Sequence, residues 1–152
     1  MIQYKGTLIP IGGNEDKGIE EEIGSEFIDE GILAHVVQAA GGKDASIVIF
    51  PTASSIPDEV AQNYLDAFGK LDCQNLKVLK VQSRTEAEQA ETLAIVKQAD
   101  CLMFSGGDQS KITKYIGQTL LHHLMIDRLK NDAGFVVAGT SAGAMMMSQE
   151  MI

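Results

Sequence analysis

Two rhythms of apolar and polar residues take turns along this chain. Residues 6–11, GTLIPI, read as a short strand stopped by Gly12-Gly13. Ile28, Ile32, Leu33, Val36 and Ala40 then recur at helical spacing, a stripe ended by Gly41-Gly42. Residues 46–50, SIVIF, form a continuous apolar run, the mark of a strand buried on both faces. Pro57 suits the first position of a helix with Asp58 and Glu59 in its first turn. Val60, Ala61, Tyr64, Leu65 and Phe68 make its buried stripe. Residues 76–81, LKVLKV, alternate and read as a strand nearer an edge. Thr85 and Glu88 have capping-box spacing and open a helix running to about Gln98. Residues 99–104, ADCLMF, give another buried strand, followed by a short helix-like run after SGGDQS. Leu121, Leu124, Met125 and Leu129 mark a helix ending near Asn131. Residues 135–138, FVVA, form the last strand and lead straight into GTSAGA.

Repeated strand–helix–strand units with apolar strands predict an α/β fold: a mainly parallel sheet with helices on both faces. There is no internal repeat, and 152 residues suit a single domain over 1–152. In such sheets ligands gather beyond the carboxyl ends of the strands. The loops GGNEDKG, PTASS, SGGDQS and GTSAGA all follow strand ends, so they should converge on one edge.

Gly139-Thr140-Ser141-Ala142-Gly143 matches G-x-S-x-G, with an apolar strand before it and a helix-compatible run after it. Such a turn presents its serine at the sheet edge, and amides of the next helical turn favour developing negative charge there. Ser141 is the candidate nucleophile. An oxyanion hole needs a second donor besides the Ala142 amide, and the Gly106-Gly107 pair can supply it from Gly107. Asp108 and Gln109 would then face the substrate, and Asp108 could also cap the following helix. Glu15 and Asp16 are candidates for meeting a basic substrate group. A base for the serine is harder to find. His35 sits beside an apolar stripe, and His122 and His123 lie within a helix body, so none is nominated. Met145, Met146 and Met147 are read as packing residues.

Charge narrows the partners. Twelve basic residues against 21 acidic ones give a net charge of −9, which disfavours nucleic acid and suits a cationic substrate. No apolar run reaches transmembrane length and no secretory leader is recognised, so neither a membrane span nor export is expected. Cys73 and Cys101 form no CxxC pair, and Cys101 reads as a buried hydrophobe. These features point to the cytoplasm, with no metal and no cofactor. Neither G-x-G-x-x-G nor G-x-x-x-x-G-K-[ST] occurs, which leaves a nucleotide-binding module as a minor alternative.

Taken together, GTLIPIGGNEDK, IVIFPTAS, SGGDQ and AGTSAGAMMMS resemble the serine peptidase group containing cyanophycinase and dipeptidase E. The resemblance runs along nearly the whole chain. It implies a class I glutamine amidotransferase-like (flavodoxin-like, three-layer) fold and cleavage of a peptide bond involving an aspartyl residue. It implies Ser141 as nucleophile, Gly107 and Ala142 as oxyanion donors, and Gln109 with Asp108 near the substrate. A cyanophycin-like substrate, an aspartate backbone carrying arginine, would be cut to β-Asp-Arg dipeptides. An aspartyl dipeptidase, or a non-catalytic α/β ligand-binding or interaction domain, are the alternatives. Members of the group suggest a homodimer. They also continue beyond the elbow, where their catalytic histidine and its acidic partner lie. The expectation is therefore an N-terminal part, with the C-terminal portion of the fold missing and little turnover by itself.

Overall fold

The computed structural model describes residues 4–11 and 30–140. Five strands form one sheet: β1 (Thr7–Ile11), β2 (Ile47–Phe50), β3 (Leu76–Val78), β4 (Cys101–Phe104) and β5 (Val136–Thr140). Their spatial order is β1-β5-β4-β2-β3, and every neighbouring pair is parallel. Among the described residues six helices accompany them: α1 (Glu30–Ala40), α2 (Pro57–Lys70), α3 (Arg84–Ala87), α4 (Ala90–Gln98), α5 (Gln109–Ile116) and α6 (Leu120–Asn131).

The continuous apolar runs explain the layering. All four residues of β2 and of β4 are buried, because side chains alternate between two covered faces. On one face Val48, Phe50, Leu102, Phe104 and Val137 pack with residues of α3 to α6, among them Val96, Ile112 and Met125. On the other, Ile47, Ile49, Met103 and Ala138 meet Val36 of α1 and Tyr64 and Phe68 of α2. The result is the expected three-layer arrangement with helices on both faces of a parallel sheet.

Three local expectations need correction. The helix expected from Thr85 to Gln98 is two helices. Ser83, not Thr85, caps the first: its Oγ accepts from the Glu86 amide at 3.1 Å, while Glu86 accepts from the Gln82 amide at 2.7 Å. Glu88 ends that short helix and reaches across to accept from the Leu120 amide at 3.2 Å, a carboxylate at the start of α6. The strand expected over 76–81 is β3, three residues long and at the sheet edge as anticipated. Beyond it the Leu79 amide still bonds Ile49, but Lys80 turns to an exposed pair with Asp58. The last strand runs two residues further than expected, to Thr140.

Arg128 ties the layer of α3 to α6 together. Its guanidinium donates to the carbonyls of Val96 and Ala99 at the end of α4, pairs with Asp132, and stacks 4.0 Å over the Phe135 ring. One cation thereby adds a charged donor to carbonyls at the end of a helix, where positive charge is favoured. The pairing in turn holds the Asp132 carboxyl below its ordinary range.

Cys101, fully buried at the start of β4, has its thiol pushed up to about 12, first by burial and then by Asp100. In the unfolded chain a thiol ionises near its ordinary value of 9.0. The folded form therefore holds its proton longer. The contribution is complete below about pH 9 and is lost as pH rises from there toward 12. Stability should fall by up to about 1.4 kcal/mol per pH unit in that window from this group alone. Urea titrations of the protein between pH 8 and 10.5 should show a shallower decline for Cys101→Ala than for wild type. Parallel declines would remove Cys101 as the cause.

Candidate active site

Because all five strands are parallel, β1, β2, β4 and β5 deliver their carboxyl ends to one edge of the sheet. β5 lies between β1 and β4, with Thr140 opposite Ile11 and Gly139 opposite Phe104. The segment starting at Ser105 therefore leaves the sheet beside the end of β5. It does so from the neighbouring strand, at the same edge.

An aromatic pair underlies this edge. Phe50 and Phe104 are the last residues of β2 and β4, directly opposite one another. Their rings stack with centroids 4.6 Å apart and planes 10° from parallel, and both are fully buried. Aromatic pairs of this kind add about 0.5–1.5 kcal/mol beyond the area they bury. Here the pair fixes the two strand ends from which the PTASS and SGGDQS loops depart.

The two loops lock together through their backbones. The Ser105 amide bonds the Phe50 carbonyl at 3.0 Å, and the Asp108 amide bonds the Ala53 carbonyl at 2.8 Å. Between them Gly107 adopts φ +137°, a conformation that side-chain-bearing residues rarely take. A Cβ built there would lie 2.2 Å from the Ala53 carbonyl oxygen. Glycine is thus required for both the backbone angle and the close approach. The Asp108 amide is committed to Ala53. The Gly107 amide, by contrast, meets no acceptor among the described residues. Lys111, on the first turn of α5, reaches back to the Ser54 carbonyl at 3.5 Å.

Asp108 caps α5. Its carboxylate accepts from the Ser110 amide at 2.9 Å and from the Ser110 hydroxyl at 2.6 Å. Those bonds, the hydroxyl's first, hold its pKa below the ordinary carboxylate value, so Asp108 is an anion at neutral pH. Gln109 follows it, and its side-chain oxygen is buried without a hydrogen-bond partner. The Thr52 hydroxyl, in the facing loop, is likewise buried without one. Buried polar atoms are ordinarily paired, so the Gln109 oxygen is an acceptor in need of a donor and the Thr52 hydroxyl a group able to donate or accept. Thr52 was not singled out from sequence. Its signal there was only its place directly after a strand.

Glu15, Asp16, Ser141, Ala142 and Met145, Met146 and Met147 lie outside the described residues. What is described reaches the residue before the elbow serine. Thr140 is half-buried and shares a hydrogen bond of 3.2 Å with the Tyr64 hydroxyl of α2. Neither residue was nominated from sequence, where Tyr64 read only as part of an apolar stripe.

The three histidines all lie on helices. His35 and His123 are exposed on helices. His122 is buried, and its Nδ1 accepts the Gln118 amide at 2.8 Å, which fixes the left-handed turn at Gln118, φ 65°, before α6. Among the described residues no three His, Cys, Asp or Glu side chains are placed to share a metal ion. Among the same residues no helix is long and apolar enough to cross a membrane.

A parallel three-layer sheet with a glycine-dependent loop beside a strand that runs into G-x-S-x-G defines the α/β class whose chemistry sits at a nucleophile turn. Residues 23–152 match the model of peptidase family S51, and the chain belongs to that family. It is 33% identical over 149 residues to the cyanophycinase of Synechococcus elongatus, covering 98% of this chain and 43% of that protein. The cyanophycinase of Geminocystis herdmanii (strain PCC 6308) is 33% identical over 153 residues, covering 100% of this chain and 53% of that protein. The chain thus spans about half the length of the curated relatives it matches. Among solved structures, a peptidase from an acI-B1 Actinobacterium superposes with a TM-score of 0.67 at 28% identity, over 94% of this chain and 57% of that one. A putative peptidase E protein from Listeria monocytogenes EGD-e gives 0.61 at 15% identity, over 91% and 59%, a likeness of fold. The fold is the class I glutamine amidotransferase-like, flavodoxin-like arrangement that the sequence led one to expect.

Proposed function

We propose that the complete protein is a serine exopeptidase acting on an aspartate polymer bearing arginine, releasing β-Asp-Arg dipeptides through a Ser141 acyl-enzyme. One observation carries this reading. The Gly106–Gln109 loop and the end of β5 leave adjacent parallel strands at one sheet edge, with the Gly107 amide uncommitted. Family membership and the cyanophycinase relatives support the substrate class.

In this reading the Ser141 hydroxyl gives its proton to a general base and its oxygen bonds the scissile carbonyl carbon. The carbonyl oxygen becomes an anion held by the Gly107 and Ala142 amides. The carbon–nitrogen bond then breaks, and the leaving amine takes the proton back from the base. Water repeats the sequence to free the acid and restore Ser141. In this reading the base is none of His35, His122 and His123 but a group in sequence such as the longer relatives carry past this match. Gln109 offers its buried, unpaired oxygen to a donor on the substrate. Glu15, Asp16 and the net charge of −9 favour the substrate's guanidinium groups. We place the protein in the cytoplasm as a homodimer, without cofactor or metal.

A fluorophosphonate probe applied to the full-length protein should label Ser141, shown by peptide mass mapping. Digestion of the Asp–Arg polymer should yield dipeptides, whereas an aspartyl dipeptidase would cut only short aspartyl peptides. A folded protein that takes no label at Ser141 would sink the serine mechanism. Labelling with dipeptides alone as substrates would keep the mechanism and change the substrate.

A further inference from the structure

The contact between α2 and the end of β5 has no role in the chemistry above. Tyr64 lies in the buried stripe of α2, 6% exposed, beside Phe68 with ring centroids 6.3 Å apart. Its hydroxyl meets the Thr140 hydroxyl at 3.2 Å, across 76 residues of sequence. Along β5, Val136 and Ala138 face the layer of α1 and α2, and Val137 faces the opposite layer. Thr140 falls on the α2 side by the same alternation. It is the last strand residue, paired with Ile11 of β1, and the next residue is Ser141.

A phenylalanine at 64 would fill the same stripe, so the phenol oxygen is not needed for the apolar packing. What the oxygen does is bond the side chain of Thr140, the last residue of β5. The tyrosine is suited to this. Its ring is held between helix and sheet, with few torsions left to move. Burial also raises its pKa, so the hydroxyl stays protonated at neutral pH. We infer that Tyr64 is a positioning residue for the reaction, its hydroxyl bonding Thr140 to aim the residue that follows. The inference rests on Ser141 being the nucleophile. A displacement of about 1 Å at a reacting atom can lower a rate by about a hundredfold, so even a small release of Thr140 is measurable.

The experiment compares Tyr64→Phe, Thr140→Val, Thr140→Ser and the Tyr64→Phe/Thr140→Val pair in the full-length protein. Each is read by polymer hydrolysis and by the second-order rate of fluorophosphonate inactivation, which needs no substrate. Tyr64→Phe and Thr140→Val should each lower kcat and the inactivation rate about tenfold with KM within about twofold. Thr140→Ser should keep most of both rates, and the double variant should be no worse than either single one. Wild-type labelling at Ser141 with unchanged rates in both single variants would overturn the inference alone. So would fully additive losses, or a fall in melting temperature with kcat intact. A wild type that takes no label at Ser141 would instead overturn the serine mechanism on which it rests.

Discussion

Replacing Ser141 with alanine in the full-length protein is expected to lower polymer hydrolysis by about 10⁴-fold or more. Nothing left at that position could form the acyl bond. The substitution removes one oxygen and adds no bulk, so the glycines on either side of the turn keep the room they need. Binding should be little affected, because the substrate contacts proposed for Gln109, Glu15 and Asp16 do not use the hydroxyl. The loss should therefore fall on kcat and leave KM within a few fold. A residual rate is expected from the Gly107 and Ala142 amides, which would still polarise the carbonyl toward water. The measurement is steady-state kinetics with dipeptide release quantified by chromatography. Activity within tenfold of wild type would mean that another group attacks. Full biological activity without hydrolysis would favour a non-catalytic interaction domain of the same fold.

The middle of the sheet was legible because its inner strands are buried on both faces. Runs such as Ile47–Phe50 and Cys101–Phe104 have no polar alternation to confuse them with surface strands. Strand ends were less so. β5 continues through Gly139 and Thr140 because β1 and β4 pair with it there, which a count of apolar residues cannot register. The split helix was missed because capping-box spacing occurs twice. Ser83 with Glu86 has it in side-chain bonds, and Thr85 with Glu88 has it only in letters. At the site, parallel strands were enough to send the loops to one edge. They did not say which loops would touch. That depends on the order β1-β5-β4-β2-β3, which sets β1 beside β5 and β2 beside β4, strands that are not consecutive in sequence. The Ala53–Gly107 approach and the Tyr64–Thr140 bond both follow from that order. Single residues carried no sign of either. Of the two readings of Asp108, its bonds to Ser110 realise the capping one.

Gly107→Ala should be the most damaging small substitution at the site outside the elbow itself. Three glycines among the described residues have φ in the left-handed region: Gly41 at +116°, Gly42 at +106° and Gly107 at +137°. A Cβ at Gly41 or Gly42 would meet nothing within 4 Å. There alanine costs only the backbone strain, of order 1–3 kcal/mol. At Gly107 the same strain is joined by a Cβ 2.2 Å from the Ala53 oxygen and 2.5 Å from its carbon. Both are backbone atoms, so no side chain can swing aside. The Gly106–Asp108 segment must move off the facing loop, giving up the Asp108–Ala53 bond and displacing the amide proposed to hold the oxyanion. Loss of one such donor typically lowers kcat by about 10²–10³-fold. Gly107→Ala should show a loss of that size in both hydrolysis and fluorophosphonate inactivation, with a lowered melting temperature. Gly41→Ala, strained but not clashing, should share part of the thermal effect and none of the kinetic one. If Gly107→Ala kept wild-type inactivation rates, the oxyanion donor would have to be sought outside this loop. A kinetic loss confined to Gly107→Ala would tie the Ala53–Gly107 approach to the chemistry, because the matched glycine separates backbone strain from displacement of the donor.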